Sequence, residues 1–103
     1  MKLAIPLWED KIAPFFGAAS RVLVITIRDG RVEGESYLRL KGKSPIETAS
    51  HLANLGVDGV LCGGIQSYCK EWLADRGVAV FDNRVGDADE IIRVFCTLGE
   101  SGI

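Results

Sequence analysis

The sequence predicts an α/β fold on a five-stranded mixed sheet, strand order 3-2-1-4-5 with strand 2 antiparallel, and three observations carry that reading. In the second half, stretches of helical periodicity alternate with short apolar runs, and Gly56 and Gly77 each close a helix just before a strand. In the first half, Asp29-Gly30 joins two strand-like runs as a two-residue hairpin turn. Strands that alternate with helices pair in parallel through right-handed crossovers, which places the first, fourth and fifth strands side by side and the hairpin beyond the first.

The first strand is the apolar run Leu3–Leu7, whose composition suits a strand covered on both faces. Pro6 cannot donate to a ladder, so this end is expected to leave the sheet or sit at a bulge. The β-branched run Val22–Ile27 is the second strand. Its return from Arg31 to Leu40 puts Arg31, Glu33, Glu35, Tyr37 and Arg39 on one face and Val32, Gly34, Ser36, Leu38 and Leu40 on the other, a charged face that suits an edge.

Ser44-Pro45-Ile46-Glu47 starts a helix on three agreeing signals: a serine N-cap, proline at the first position and a glutamate placed to close a capping box. Gly59–Cys62 follows as the fourth strand. Ile65, Tyr68, Cys69, Trp72 and Leu73 then mark one apolar helix face, and Val78–Phe81 is the fifth strand. Asp87 with Glu90 caps a last helix burying Ala88, Ile91, Ile92, Phe95 and Leu98, and the tail from Gly99 to Ile103 is expected to fray.

Composition narrows the function. Splitting 103 residues would leave about 50 for each core, a marginal size, so a single domain over 1–103 is expected. Twelve Lys and Arg against fourteen Asp and Glu give a net charge of −2, which argues against a nucleic-acid or anionic-membrane partner. The opening apolar stretch Leu3–Trp8 is shorter than the core of a secretory signal, about 7 residues, so a cytoplasmic location is expected. There the three cysteines stay reduced and serve as packing residues, metal ligands or reactive groups.

In open α/β sheets ligands bind beyond the carboxyl ends of the parallel strands. Here that rim comprises Trp8–Gly17, Cys62–Gln66 and Asp82–Asp87, and Gly17, Gly63, Gly64 and Gly86 fall on it. Such glycines serve either a ligand's close approach or the turns themselves. Gly63-Gly64 precedes a helix, so its amides could hold an anion, although neither the dinucleotide fingerprint nor the Walker pattern is present. Cys62 faces the same helix start, where the dipole favours a thiolate suited to a ligand or nucleophile; a small apolar residue at a strand end also needs no function.

Cys69 and Cys96 fall on or beside apolar helix faces and read as packing, and no pair shows the C-x-x-C spacing of a closed metal site. His51 falls opposite its helix's apolar face, which leaves Cys62 without a histidine partner. Glu9, Asp10, Asp82, Asp87 and Asp89 lie near the rim, yet the first strand supplies no acid for a two-metal centre. Trp8, Phe15 and Phe16 are either core or an apolar patch for a ligand or protein.

The segments Met1–Pro6, Ile12–Gly17 and Gly56–Ile65, in that order and spacing, resemble the dinitrogenase iron-molybdenum cofactor biosynthesis family over nearly the whole chain. The resemblance implies a three-layer ribonuclease H-like domain. It further implies a small non-enzymatic carrier or accessory protein that binds an iron-molybdenum cofactor precursor or iron-sulfur cluster, with a protein donor or acceptor as partner. Carried onto this chain, the site comprises Cys62 as metal ligand with Gly63, Gly64, Phe15, Phe16 and Gly17. Family members often carry histidine before the phenylalanine-glycine of the first rim loop, where this chain has Phe15. That departure supports a second reading, an interaction or regulatory module that keeps the fold without the cluster. A metal-dependent nuclease using Asp10 or Asp82 rests on fold analogy alone.

Overall fold

A computed structural model describes residues 1–40 and 43–99, so the expected fraying of the tail beyond Gly99 falls outside the described residues. Strand β1 (Lys2–Trp8) is the central strand, with Leu3–Leu7 buried throughout. It is followed by β2 (Lys11–Ile12), β3 (Arg21–Arg28), β4 (Arg31–Arg39), α1 (Pro45–Asn54), β5 (Gly59–Leu61), α2 (Ser67–Asp75), β6 (Ala79–Phe81) and α3 (Ala88–Leu98). The main path runs β4-β3-β1-β5-β6, with β1, β5 and β6 parallel and β3 antiparallel to both neighbours.

That order is the expected one, but the strand count of five is corrected to six. β5 accompanies β1 only at Leu3 and Ala4, so the same edge of β1 further along has no parallel neighbour. The chain turns through Glu9-Asp10, with Glu9 at φ 58°, and fills that edge antiparallel, pairing Leu7 with Ile12 and Trp8 with Lys11. Pro6 stays in the strand opposite Val22, and its carbonyl accepts from the Ala13 N–H at 3.0 Å, on the side away from β3. A residue's N–H and C=O point the same way in a ladder, so the missing proline donor falls where β5 has already diverged.

The hairpin turn has positive φ at both Asp29 and Gly30, the primed geometry that matches strand twist. One bulge interrupts β3-β4: Val32 pairs with Ile27, Gly34 with Thr26, and Glu33 is the extra residue. The slip puts Val32 on the opposite face from Gly34, Ser36 and Leu38, which corrects the continuous alternation expected for this strand.

Two apolar layers sandwich the sheet. Ala4, Val22, Val24, Val60 and Cys62 meet Ala49 and Leu52 of α1 and Leu73 of α2, with Phe16 and Leu40 at the margin. On the other face Leu3, Ile5, Leu7, Leu23, Ile25 and Leu61 meet Ala88 and Phe95 of α3. Two expected buried positions are exposed: Tyr68 in the first turn of α2 and Leu98 at the end of α3. Helix α2 starts at Ser67, two residues after Ile65, which therefore lies outside the helix yet still packs on the core.

The serine cap of α1 closes as a reciprocal box: Ser44 Oγ accepts from Glu47 N–H at 3.3 Å, and Glu47 Oε1 accepts from Ser44 N–H at 3.1 Å. Asp87 caps α3 in one direction, accepting from the amides of Asp89 and Glu90. The backbone and side chain of Ser44 hold the Glu47 carboxyl below its ordinary range. Replacing Ser44→Ala should lower urea-unfolding stability by about 1 kcal/mol. The same variant should raise the Glu47 pKa in an NMR titration; an unmoved pKa would mean that the box does not form in solution.

Candidate functional site

The expected rim is real, but its three segments are laced to one another. Gly64 N–H donates to the Pro14 carbonyl at 2.7 Å, and Phe16 N–H donates to the Gly64 carbonyl at 2.7 Å, so that Phe15 and Gly64 form a parallel bridge. The third segment joins in, with Ile12 N–H donating to Gly86 O at 3.0 Å, Asn83 N–H to Gly63 O at 2.9 Å and Arg84 N–H to Cys62 O at 2.9 Å.

Glycine at 63 is required by this closure. A Cβ there would lie 2.4 Å from the Ala13 carbonyl oxygen and 2.5 Å from that of Pro14. At Gly64 it would meet the Phe15 ring at 2.8 Å. The contact observed at Gly63 and Gly64 is neither a ligand's approach nor a demand of the turn alone: it is close packing of one segment of the chain on another. The Gly64 amide, expected to be free for an anion, is already bonded to Pro14. Gly17 packs beside Pro45 and Gln66, which puts the short 3-10 turn Phe16–Ala18 against the starts of α1 and α2.

Closure decides the state of Cys62. The residue is fully buried beside Phe16 in the apolar layer under α1 and α2. Burial, with a smaller contribution from Asp82, pushes its thiol from the ordinary 9.0 up to about 12, and Lys70 only partly opposes the shift. Lys70 is itself engaged, with Nζ 3.1 Å from Asp82 Oδ1. The thiolate expected from the helix dipole is therefore outweighed: a dipole contributes about 0.3–1 kcal/mol, and removal of a charge from water costs more.

The other expected site residues divide by exposure. Phe16 is buried as core, whereas Phe15 at 63% and Trp8 at 55% stand in solvent, so the aromatic cluster is part core and part surface. Cys69 is buried on α2, and Cys96 packs beside the α3 layer. His51 is half-buried on α1 in a shallow recess with Lys43, Glu47, Ser50 and Asn54, remote in sequence and element from the rim. Among the described residues, no three of His, Cys, Asp and Glu lie close enough to hold a metal ion.

Two side chains of the rim went unremarked in the sequence. Gln66, the N-cap of α2, has a buried Oε1 without a partner, and Arg84 has a buried Nε without one. An arginine within the third rim segment was the available signal, although only its backbone bond to Cys62 shows that it belongs to the same site.

The family described as dinitrogenase iron-molybdenum cofactor matches residues 1–98. An uncharacterized protein of Methanocaldococcus jannaschii is 22% identical over 100 residues, covering 92% of this chain and 85% of that one. The crystal structure of the protein PH0822 superposes with a TM-score of 0.88 at 20% identity, covering 94% of this chain and 89% of that one. A provisionally named dinitrogenase of Methanocaldococcus jannaschii superposes with a TM-score of 0.80 at 19% identity, covering 96% and 90%. At such identities the structural likeness establishes the fold.

Two measurements check this geometry. Gly63→Ala should destabilise by about 1–3 kcal/mol in urea, whereas Gly34→Ala, whose Cβ meets nothing within 4 Å, should not; equal effects would refute the close approach. The folded thiol pKa of Cys62 lies above its unfolded value, so the stability it contributes is complete below pH 9.0 and is lost as pH rises toward about 12. Cys62→Ala should flatten the fall in stability across that window, and parallel curves for the two proteins would contradict the assigned burial.

Proposed function

The chain belongs to the dinitrogenase iron-molybdenum cofactor family, and from that membership we propose that it is a small cytoplasmic, non-enzymatic accessory protein that carries a metal-sulfur cluster. The observation that carries the proposal is the family match over residues 1–98, together with a thiol at the carboxyl end of β5, beside the point where the sheet changes from parallel to antiparallel. On this reading residues 1–103 act as a single domain of ribonuclease H-like type. The layering and strand order support that assignment.

The donor set does not suit a bare metal ion, since Cys62 has no second and third ligand beside it among the described residues. It suits cargo that arrives with its own ligands and takes one thiolate from the protein. Arg84, whose backbone amide bonds the Cys62 carbonyl, also carries a buried, unpartnered Nε donor, a group that favours an anionic cargo. Access requires the loop Ala13–Phe16 to lift from Gly63-Gly64, which would also release the Gly64 amide. Phe15, Phe16 and Gly17 would then border the cargo.

A second reading is favoured by the exposed Trp8 and Phe15: a module that docks a protein donor or acceptor without holding the cluster. Anaerobic reconstitution with iron and sulfide separates the two. The carrier predicts a thiolate-to-metal absorption band in the native protein and its loss in Cys62→Ala. No band in either protein overturns the ligand assignment and leaves the docking module, while a band unchanged in Cys62→Ala places the ligand elsewhere.

A further inference from the structure

The groove at the β3-β4 end of the sheet takes no part in the site above and does not depend on the carrier reading. Ser20, Arg21, Tyr37, Arg39 and Leu40 line an open groove of about 890 Å³. The bulge at Glu33 shifts the hairpin register by one residue, so that Arg21 faces Arg39 directly across the two strands. Like charges placed opposite one another destabilise a ladder. Here little within the chain offsets them.

Arg39 makes no hydrogen bond or ion pair among the described residues. Arg21 is held over a ring and only weakly paired: its guanidinium lies 4.5 Å from the centre of the Tyr37 ring, and Nη2 reaches Glu9 O at 3.2 Å and the almost fully exposed Asp10 carboxylate at 3.4 Å, an ion pair that water screens. Nε and Nη1 keep their donors, because a ring face takes the cation and not its N–H groups. Glu35 lies on the same face of β4, two residues from Tyr37 and four from Arg39, and pairs across the strands with Ile25. Tyr37, exposed on the same face of β4 as Arg39, supplies the apolar surface beside the arginines, while Leu40 closes the groove from the opposite layer.

We propose that this groove binds a small oxyanion, a phosphate monoester or a carboxylate, attached to an apolar body. The oxyanion bridges Arg21 and Arg39 and relieves their repulsion, while the body lies against the exposed Tyr37 ring. Paired guanidinium groups match the bidentate geometry of either head group.

Amide chemical-shift titrations of the intact protein with phenyl phosphate, benzoate and inorganic phosphate test the proposal. Saturable shifts are expected at Ser20, Arg21, Tyr37, Arg39 and Leu40, with phenyl phosphate or benzoate binding more tightly than inorganic phosphate; the tighter of the two identifies the head group. Arg39→Gln should weaken that binding by about tenfold. Arg31→Gln, the same charge change at the opposite end of β4, should leave it within about twofold. Both arginines are exposed, and unchanged urea midpoints would confirm that the variants fold. Equal weakening by the two variants, or shifts absent from these residues for all three probes, would overturn the site.

Discussion

The rim depends on one close approach, where Gly63 lies against the Ala13 and Pro14 carbonyls at distances that exclude any side chain and Gly64 lies against the Phe15 ring. Because nothing intervenes, two short hydrogen bonds form there, and Phe16 is carried into the core beside Cys62. The loop that makes this contact also pairs with the third segment through Ile12 and Asp10, whose carbonyl accepts from Ala88 N–H at 3.2 Å. One closure therefore holds all three segments, and loss of the glycine contact would loosen each of them together.

This closure accounts for the chemistry of the thiol. A cysteine beside a helix start gains something from the dipole, but α2 opens without a side-chain cap and the gain is confined to its first turn. Complete burial removes the water that would stabilise a thiolate, and Asp82 adds a repulsive charge that Lys70 only partly cancels. The closed protein thus stores Cys62 in the protonated form, protected from oxidation and from stray metal. Under the proposed carrier role, the thiol would become available only once the loop had moved to admit the cargo.

Most of the framework was legible before the structure because it rests on local rules. The serine-proline-glutamate cap, the Asp29-Gly30 turn and the apolar face of α3 from Ala88 to Phe95 each follow from the residues that form them, and the strand order follows from alternation with helices. What was not legible depends on long-range contact. Strand β2 exists because β5 diverges from β1 after Ala4, a fact of packing that the two residues Lys11-Ile12 cannot announce. Cys62 read as a helix-start thiolate because its sequence neighbours suggest one, whereas its burial comes from a layer assembled from distant residues, Phe16, Val24 and Leu52 among them.

The bulge at Glu33 shows how much one residue can decide. Counted strictly from the turn, the hairpin would set Arg21 against Leu38, and the strand's charged residues would share one face without interruption. The extra residue moves Arg39 opposite Arg21 and turns Val32 toward the α3 side with Ile27. Bulges also increase local twist, which helps an exposed and charged edge resist pairing with another sheet. Edge protection alone is satisfied by the twist and by the charges of Arg31, Glu33 and Glu35, and requires no pair of arginines at the far end. The ring contact and the exposed Asp10 offset only the Arg21 side of this like-charged pair, and an external anion is the simplest agent that would relieve the Arg39 side as well.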